Sequence, residues 1–182
     1  MVQDIAALGV QASISAWVSR VVKEAASLSY PGVTDDKRQE FKGDALEILT
    51  EYLMKVTPVS PTQGMSNYKC VKVKDDYGVD ALGLKNGNMV VLQCKFRENP
   101  LEHIHYADLA RTFTQGVLQF GLDPKEPKGL WLVTTAYDAN INSHYVFNEL
   151  GPKLLHVLAL EHLSYNLDGN IDFWQGFLAS IP

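Results

Sequence analysis

Two cysteines, Cys70 and Cys94, in 182 residues exclude a disulfide framework and a thiolate metal cluster, and both are expected to be reduced. No apolar run is long enough to cross a bilayer and no secretory leader is legible. The expected location is therefore intracellular, cytoplasmic if the source is prokaryotic, with no membrane partner. The chain has no glycine-rich phosphate loop, and His103 and His105, two residues apart, do not match an HExxH zinc site. No internal repeat is evident. A net charge of -5 removes a uniformly basic surface, and with it the simplest route to nucleic acid.

What is present is an ordinary globular composition, 46% hydrophobic, in a chain long enough to bury one continuous core, so a single domain over 1–182 is expected. The charge is unevenly spread. From Ser66 to Arg97 six basic residues, Lys69, Lys72, Lys74, Lys85, Lys95 and Arg97, stand against Asp75, Asp76 and Asp80, a local +3 inside an acidic whole. Such a patch permits phosphate contact, although scattered solvated lysines account for the same count.

Ile14, Val18, Val21, Val22 and Ala25 recur at near-helical spacing before Tyr30-Pro31-Gly32, which predicts a packing helix within 11–29. Thr34 or Asp35 can cap a second helix over about 36–54, with Phe41, Ala45, Ile48, Leu49, Tyr52 and Leu53 as its core stripe. Residues 56–67 read as a loop. Three strands are expected over 68–74, 79–84 and 89–96, the last two joined by Asn86-Gly87-Asn88, whose sequence suits a tight hairpin. A helix over about 106–120, a strand over 129–135, a helix over 140–150 ended by Gly151-Pro152, and a buried strand over 153–159 follow. The sum is an α/β sandwich with a mixed sheet as its middle layer.

Within the third strand the two-residue period places Gln93 and Lys95 on one face and Leu92, Cys94 and Phe96 on the other. A lysine inside an apolar strand needs a partner or a task. The hairpin brings Asp80 back beside these residues, so an acid, an amide and an amine gather at one edge of the sheet, as metal-dependent phosphodiester hydrolysis requires. A divalent ion such as Mg²⁺ takes oxygen ligands, and Asp80 is the first candidate to hold it. Lys95 can stabilise negative charge developing around phosphorus or orient the attacking water. Gln93 offers a neutral carbonyl oxygen, directly or through water. Blander roles exist for each: a surface turn acid, an edge lysine that discourages strand association, and a cross-strand amide. Lys69, Lys72, Arg97, Tyr106 and Gln115 are candidates for phosphate or sugar contact.

Gly78-Val79-Asp80 followed by Gln93-Cys94-Lys95 resembles the PD-(D/E)xK superfamily of restriction-endonuclease-like nucleases, in its Mrr-like branch whose third motif reads QxK. The resemblance covers about 37–175 and leaves 1–32 as an N-terminal helical extension. It implies a restriction-endonuclease-like mixed β-sheet flanked by helices, with the backbone carbonyl of Cys94 as a further metal ligand and an acid from the first core helix. Gly43-Asp44-Ala45-Leu46-Glu47 is similar to that helix motif, with Leu46 where the family shows an aromatic residue. Glu47 is the candidate to bind a second metal or orient water, and Asp44 and Glu51 on neighbouring turns remain alternatives. The helix Tyr106–Gly116, the pair Thr134-Thr135 and the run Ile171-Asp172-Phe173-Trp174 resemble nuclease modules attached to helicases or translocases.

The expectation is a Mg²⁺-dependent DNA endonuclease, with Mn²⁺ able to substitute, built on Glu47, Asp80, Gln93 and Lys95. It would be the cutting module of a larger DNA-processing or restriction system, with a helicase, translocase or specificity domain in the same or another chain. The alternative is a catalytically inactive nucleic-acid-binding or assembly module with the same fold. Site chemistry alone does not separate DNA from RNA, and the preference for DNA is carried by the resemblance.

Overall fold

The computed structural model describes residues 12–56, 65–71, 78–141 and 153–181. Helix α1 (Ile14–Ser27) begins where the Ser13 hydroxyl accepts the Ala16 amide at 3.2 Å. Its start is tied to the far end of the chain: the Ile14 amide donates to Asp168 Oδ1 at 2.8 Å and the Gly169 amide to the Ala12 carbonyl at 2.6 Å. Helix α2 (Asp35–Val56) is capped by Thr34, whose hydroxyl accepts the Lys37 amide at 3.3 Å. Asp35 and Asp36 in its first turn and Lys55 in its last match the helix dipole.

The sheet contains strands β1 (Ser66–Cys70), β2 (Ala81–Lys85), β3 (Asn88–Lys95), β4 (Leu130–Thr134) and β5 (Leu155–Leu158), side by side in that order. The first three form an antiparallel meander, and β3, β4 and β5 run parallel. Lys85 pairs with Asn88, leaving Asn86 and Gly87 as a two-residue loop with φ of 52° and 84°. Two successive positive φ values match the twist of the flanking strands, which is why Asn-Gly stands there.

Helix α3 (Tyr106–Gln119) crosses one face of the sheet, burying Leu109, Thr112 and Gly116. A Cβ on Gly116 would stand 3.0 Å from the Val91 side chain, so the glycine lets the helix settle close to β3. This face is closed by Val79, Leu82, Val91, Ile104, Leu130 and Leu132, among others. On the other face α1, α2, α4 (Leu160–Leu167) and α5 (Ile171–Ser180) cover Ala81, Val90, Leu92, Cys94, Trp131 and Val133. The expected alternation of β3 is thus realised: Leu92 and Cys94 enter the α2 side, and Val91 enters the α3 side.

Several expectations need correction. The α2 stripe that meets the sheet is Leu46, Leu49, Thr50 and Leu53, all buried, whereas Phe41, Ala45 and Ile48 line a groove shared with α1 and α5. Helical pitch favours both stripes almost equally, and only tertiary packing chooses between them. Strand β1 begins two residues earlier than expected and ends at Cys70; a short 3₁₀ turn forms over Asp138–Asn140, and most of the expected 140–150 helix lies outside the described residues. Helices α4 and α5 were not anticipated, although Leu160, Leu163 and Leu167, then Phe173, Trp174 and Phe177, carry helical spacing.

Candidate active site

The positive φ of Gly78, 88°, turns the chain into Val79 and Asp80 just before β2. Asp80 donates its amide to the Leu92 carbonyl at 2.9 Å, while Ala81 is the residue registered opposite Leu92. Two successive residues therefore address one residue of β3, a bulge-like doubling that re-aims the first side chain. The Asp80 carboxylate turns onto the end of β3, where Oδ2 accepts the Cys94 amide at 2.6 Å and the Gln93 Nε2 group at 2.5 Å. Asp80 and Gln93, separated by the hairpin, are in direct contact.

Gln93 is only 6% exposed, so each of its polar atoms needs a partner. Its Nε2 also donates to the Cys94 carbonyl at 3.2 Å, and its Oε1 lies 2.6 Å from the Thr112 hydroxyl on α3. The same hydroxyl lies 2.5 Å from the Gly78 carbonyl oxygen. Thr112 is fully buried and joins the loop before Asp80 to the Gln93 amide. Sequence reading misses Thr112, since a helical threonine carries no signal alone. The spacing Leu109, Thr112, Gly116 could have placed it on the buried face.

Lys95 lies two residues beyond Gln93 on β3 and is partly exposed. Strand alternation puts its side chain on the Gln93 face, and its carbonyl accepts the Thr134 hydroxyl at 2.7 Å. Thr135 fastens the next step, accepting the Arg97 amide and donating to the Arg97 carbonyl, both at 2.7 Å. The Thr134-Thr135 pair thus anchors the strand exit that carries Lys95.

Cys94 faces the opposite way, buried, with its thiol 3.5 Å from the Thr50 hydroxyl. Burial first, then the nearby Asp80 carboxylate and more weakly Glu47, push the thiol well above its usual range. Of the two acids, Asp80 touches this residue, through the Cys94 amide. Along α2, Lys42 pairs with Glu98 and Thr50 touches Cys94. Glu47 lies between Lys42 and Thr50 on the same helix and is half-buried. Asp44 and Glu51 are directed elsewhere: Asp44 lines the α1/α5 groove with its pKa raised by burial, and Glu51 pairs with Lys55, which lowers its pKa.

The expected nucleic-acid contacts are dispersed. Lys69 is exposed on β1, Tyr106 is 40% exposed at the start of α3, Gln115 is half-buried on that helix, and Lys72 lies outside the described residues. Arg97 is paired with Glu102 at 2.9 Å and with Asp108 at 3.5 Å, so its charge is compensated locally. Lys85 sits at the hairpin end of β2, its ammonium 5.2 Å from the Trp131 ring. That end is roughly 16 Å of strand away from Asp80.

Among the described residues, no group of three or more His, Cys, Asp or Glu side chains is placed to hold a metal ion. The oxygen set at the end of β3 is of another kind. Asp80 Oδ2 and the Cys94 carbonyl both approach a single donor, the Gln93 Nε2 group. A carboxylate and a main-chain carbonyl converging on one point are hard oxygen donors of the type that Mg²⁺ or Mn²⁺ accepts, with water and substrate phosphate filling the other positions. The residues present therefore fit such an ion. As oriented, however, Gln93 offers its N–H groups and not its oxygen to that point. Comparison of the chain with protein-family models, curated proteins and solved structures gave no match.

Proposed function

We propose that this protein is a divalent-metal-dependent nuclease acting on DNA, of the PD-(D/E)xK kind with a QxK third motif. The observation that carries the reading is the convergence of Asp80 Oδ2 and the Cys94 carbonyl on one donor, with Lys95 next along the same face. The order of helix, antiparallel meander, crossing helix and parallel strand supports a restriction-endonuclease-like core.

Each residue has a task in that chemistry. Asp80 supplies the negative charge that holds the cation, and the buried Gln93–Thr112 contact fixes the strand end from the α3 side. Lys95 places an ammonium where the phosphate gains negative charge as water adds to phosphorus and the bridging P–O bond breaks. Glu47, from α2, is the group to orient the water or accept its proton. A bound Mg²⁺ would neutralise phosphate charge and lower the pKa of its water. The chain would act as a cutting module, with DNA and a helicase, translocase or specificity domain as partners.

A second reading, an inactive DNA-binding or assembly module, draws on the same Gln93 amide. It spans the two oxygens with N–H donors and needs no cation to satisfy them.

Cleavage of plasmid and of short single- and double-stranded DNA in Mg²⁺ or Mn²⁺, with EDTA as control, separates the two. Asp80→Asn and Lys95→Ala, each shown to be folded by circular dichroism, are expected to lose at least about 100-fold in rate. Equal rates in the wild type and both variants would remove the site assignment, and absence of metal-dependent cleavage would favour the second reading.

A further inference from the structure

The chain has four arginines, and three of them are neutralised: Arg20 pairs with Glu24, Arg38 with Asp35, and Arg97 with Glu102 and Asp108. Arg111, on α3, makes no ion pair among the described residues. The acid within helical reach, Asp108 one turn earlier, is already engaged: its Oδ2 accepts the His105 amide at 2.8 Å and its Oδ1 faces Arg97.

The Arg111 stem is nonetheless seated. A Cβ built on Gly78 would stand 3.1 Å from both Cγ and Cδ of Arg111 and 3.5 Å from its Cβ. The stem therefore lies along Gly78 to its last carbon, in space that a residue without a side chain leaves open. The next residue of the helix, Thr112, meets the Gly78 carbonyl. Two successive residues of α3 thus hold the turn that delivers Asp80, whose Cα lies at most about 7 Å from that of Gly78. Arg111 is exposed, so its guanidinium, which begins where the stem ends, is open to a ligand beside that turn. A guanidinium presents a planar fork of N–H donors that matches two phosphate oxygens, and a stem already held by packing gives up little freedom on engaging them.

We propose that Arg111 is a phosphate-binding residue of this site, its guanidinium taking the non-bridging oxygens of a DNA backbone phosphate next to the one held at Asp80 and Lys95. This rests on the nuclease reading of the site. Lys95 also makes no ion pair among the described residues, so two uncompensated cations reach the Asp80 end of the sheet, one from β3 and one from α3. They supply locally the positive charge that the chain as a whole, at -5, does not.

The test measures binding of a short labelled DNA duplex by anisotropy at several KCl concentrations in Mg²⁺, using the full chain as Asp80→Asn so that the DNA stays intact. Arg111→Gln in that background keeps the three-carbon stem over Gly78 and removes the charge. It is expected to weaken binding about tenfold and to lower the slope of log affinity against log salt by about 1. Arg111→Lys is expected to keep the slope. Lys125→Ala removes one exposed cation from the turn before β4, at the end of the parallel strands opposite Lys95, and is expected to change neither quantity. Arg111→Gln binding with the affinity and slope of its parent overturns the proposal, as does an equal loss in Lys125→Ala, which would make the effect one of net charge, or a parent that binds no DNA. Cleavage by the Asp80→Asn chain at the wild-type rate removes the site reading and the proposal with it. Cleavage that depends on Asp80 while Arg111→Gln binds unchanged removes Arg111 alone. Should Arg111→Gln not fold, phenylglyoxal modification of the parent, read by mass spectrometry, decides: DNA is expected to protect Arg111, and equal modification with and without DNA overturns the proposal.

Discussion

One strand, β3, presents two different chemistries on its two faces. Toward α2, Val90, Leu92 and Cys94 are buried among leucines and aromatic rings, and the thiol lies 3.5 Å from the Thr50 hydroxyl. Toward α3, Val91 continues the apolar layer, but the next two residues on that face are Gln93 and Lys95. There the hydrophobic contact is replaced by a chain of hydrogen bonds from Gly78 through Thr112 and Gln93 to Asp80. The α2 face stabilises the fold by removing apolar area from water. The α3 face, at its end, holds buried polar groups that are tolerable only because each is matched, so its composition answers to something other than stability.

The contrast breaks most sharply if substitutions on the two faces have the same effect. Leu92, fully buried on the α2 side, is expected to cost about 2–5 kcal/mol on change to alanine, measured by urea unfolding. The fraction that stays folded should bind Mn²⁺ as the wild type does. Reduced Mn²⁺ affinity in folded Leu92→Ala protein would show that the faces are not independent.

A pH dependence sharpens the same contrast. His156 on β5 packs its ring 4.3 Å from that of Trp131, and burial, aided by Lys128 and Lys85, lowers its pKa to about 4. Below about pH 6.5 the unfolded chain takes up this proton while the folded chain resists it until about pH 4. Stability from this group is thus present at neutral pH and is lost as pH falls through that window, by at most about 3 kcal/mol. His156→Leu is expected to flatten the fall of Tm between pH 6.5 and 4, and an unchanged profile would assign the acid sensitivity elsewhere.

The smallest expected effect is that of Cys94→Ala. The proposed ligand at this residue is its carbonyl, while the thiol is buried and held protonated. Removing it should cost about 1 kcal/mol and leave Mn²⁺ affinity unchanged. A large loss of affinity would implicate the thiol side of the strand.

Much of this arrangement is legible in the residues. Asn86-Gly87 fixes the hairpin, the hairpin fixes which residues lie near Asp80, and alternation assigns Gln93 and Lys95 to one face. The contact between Asp80 and Gln93 follows from these local rules. What was not legible depends on packing at a distance. The choice between two stripes on α2 turns on which helices lie behind it, and α4 and α5 complete that side. Thr112 matters only because a glycine turn 34 residues earlier delivers its carbonyl to the same hydroxyl. Arg97 reads as a free cation until Glu102 and Asp108 close on it.

Anomalous diffraction from crystals of the full chain grown with Mn²⁺ tests the central claim most directly. The account expects a peak at about 2 Å from both Asp80 Oδ2 and the Cys94 carbonyl. A Mn²⁺ ion bound only elsewhere, with Gln93 Nε2 still bridging those two oxygens, would contradict it.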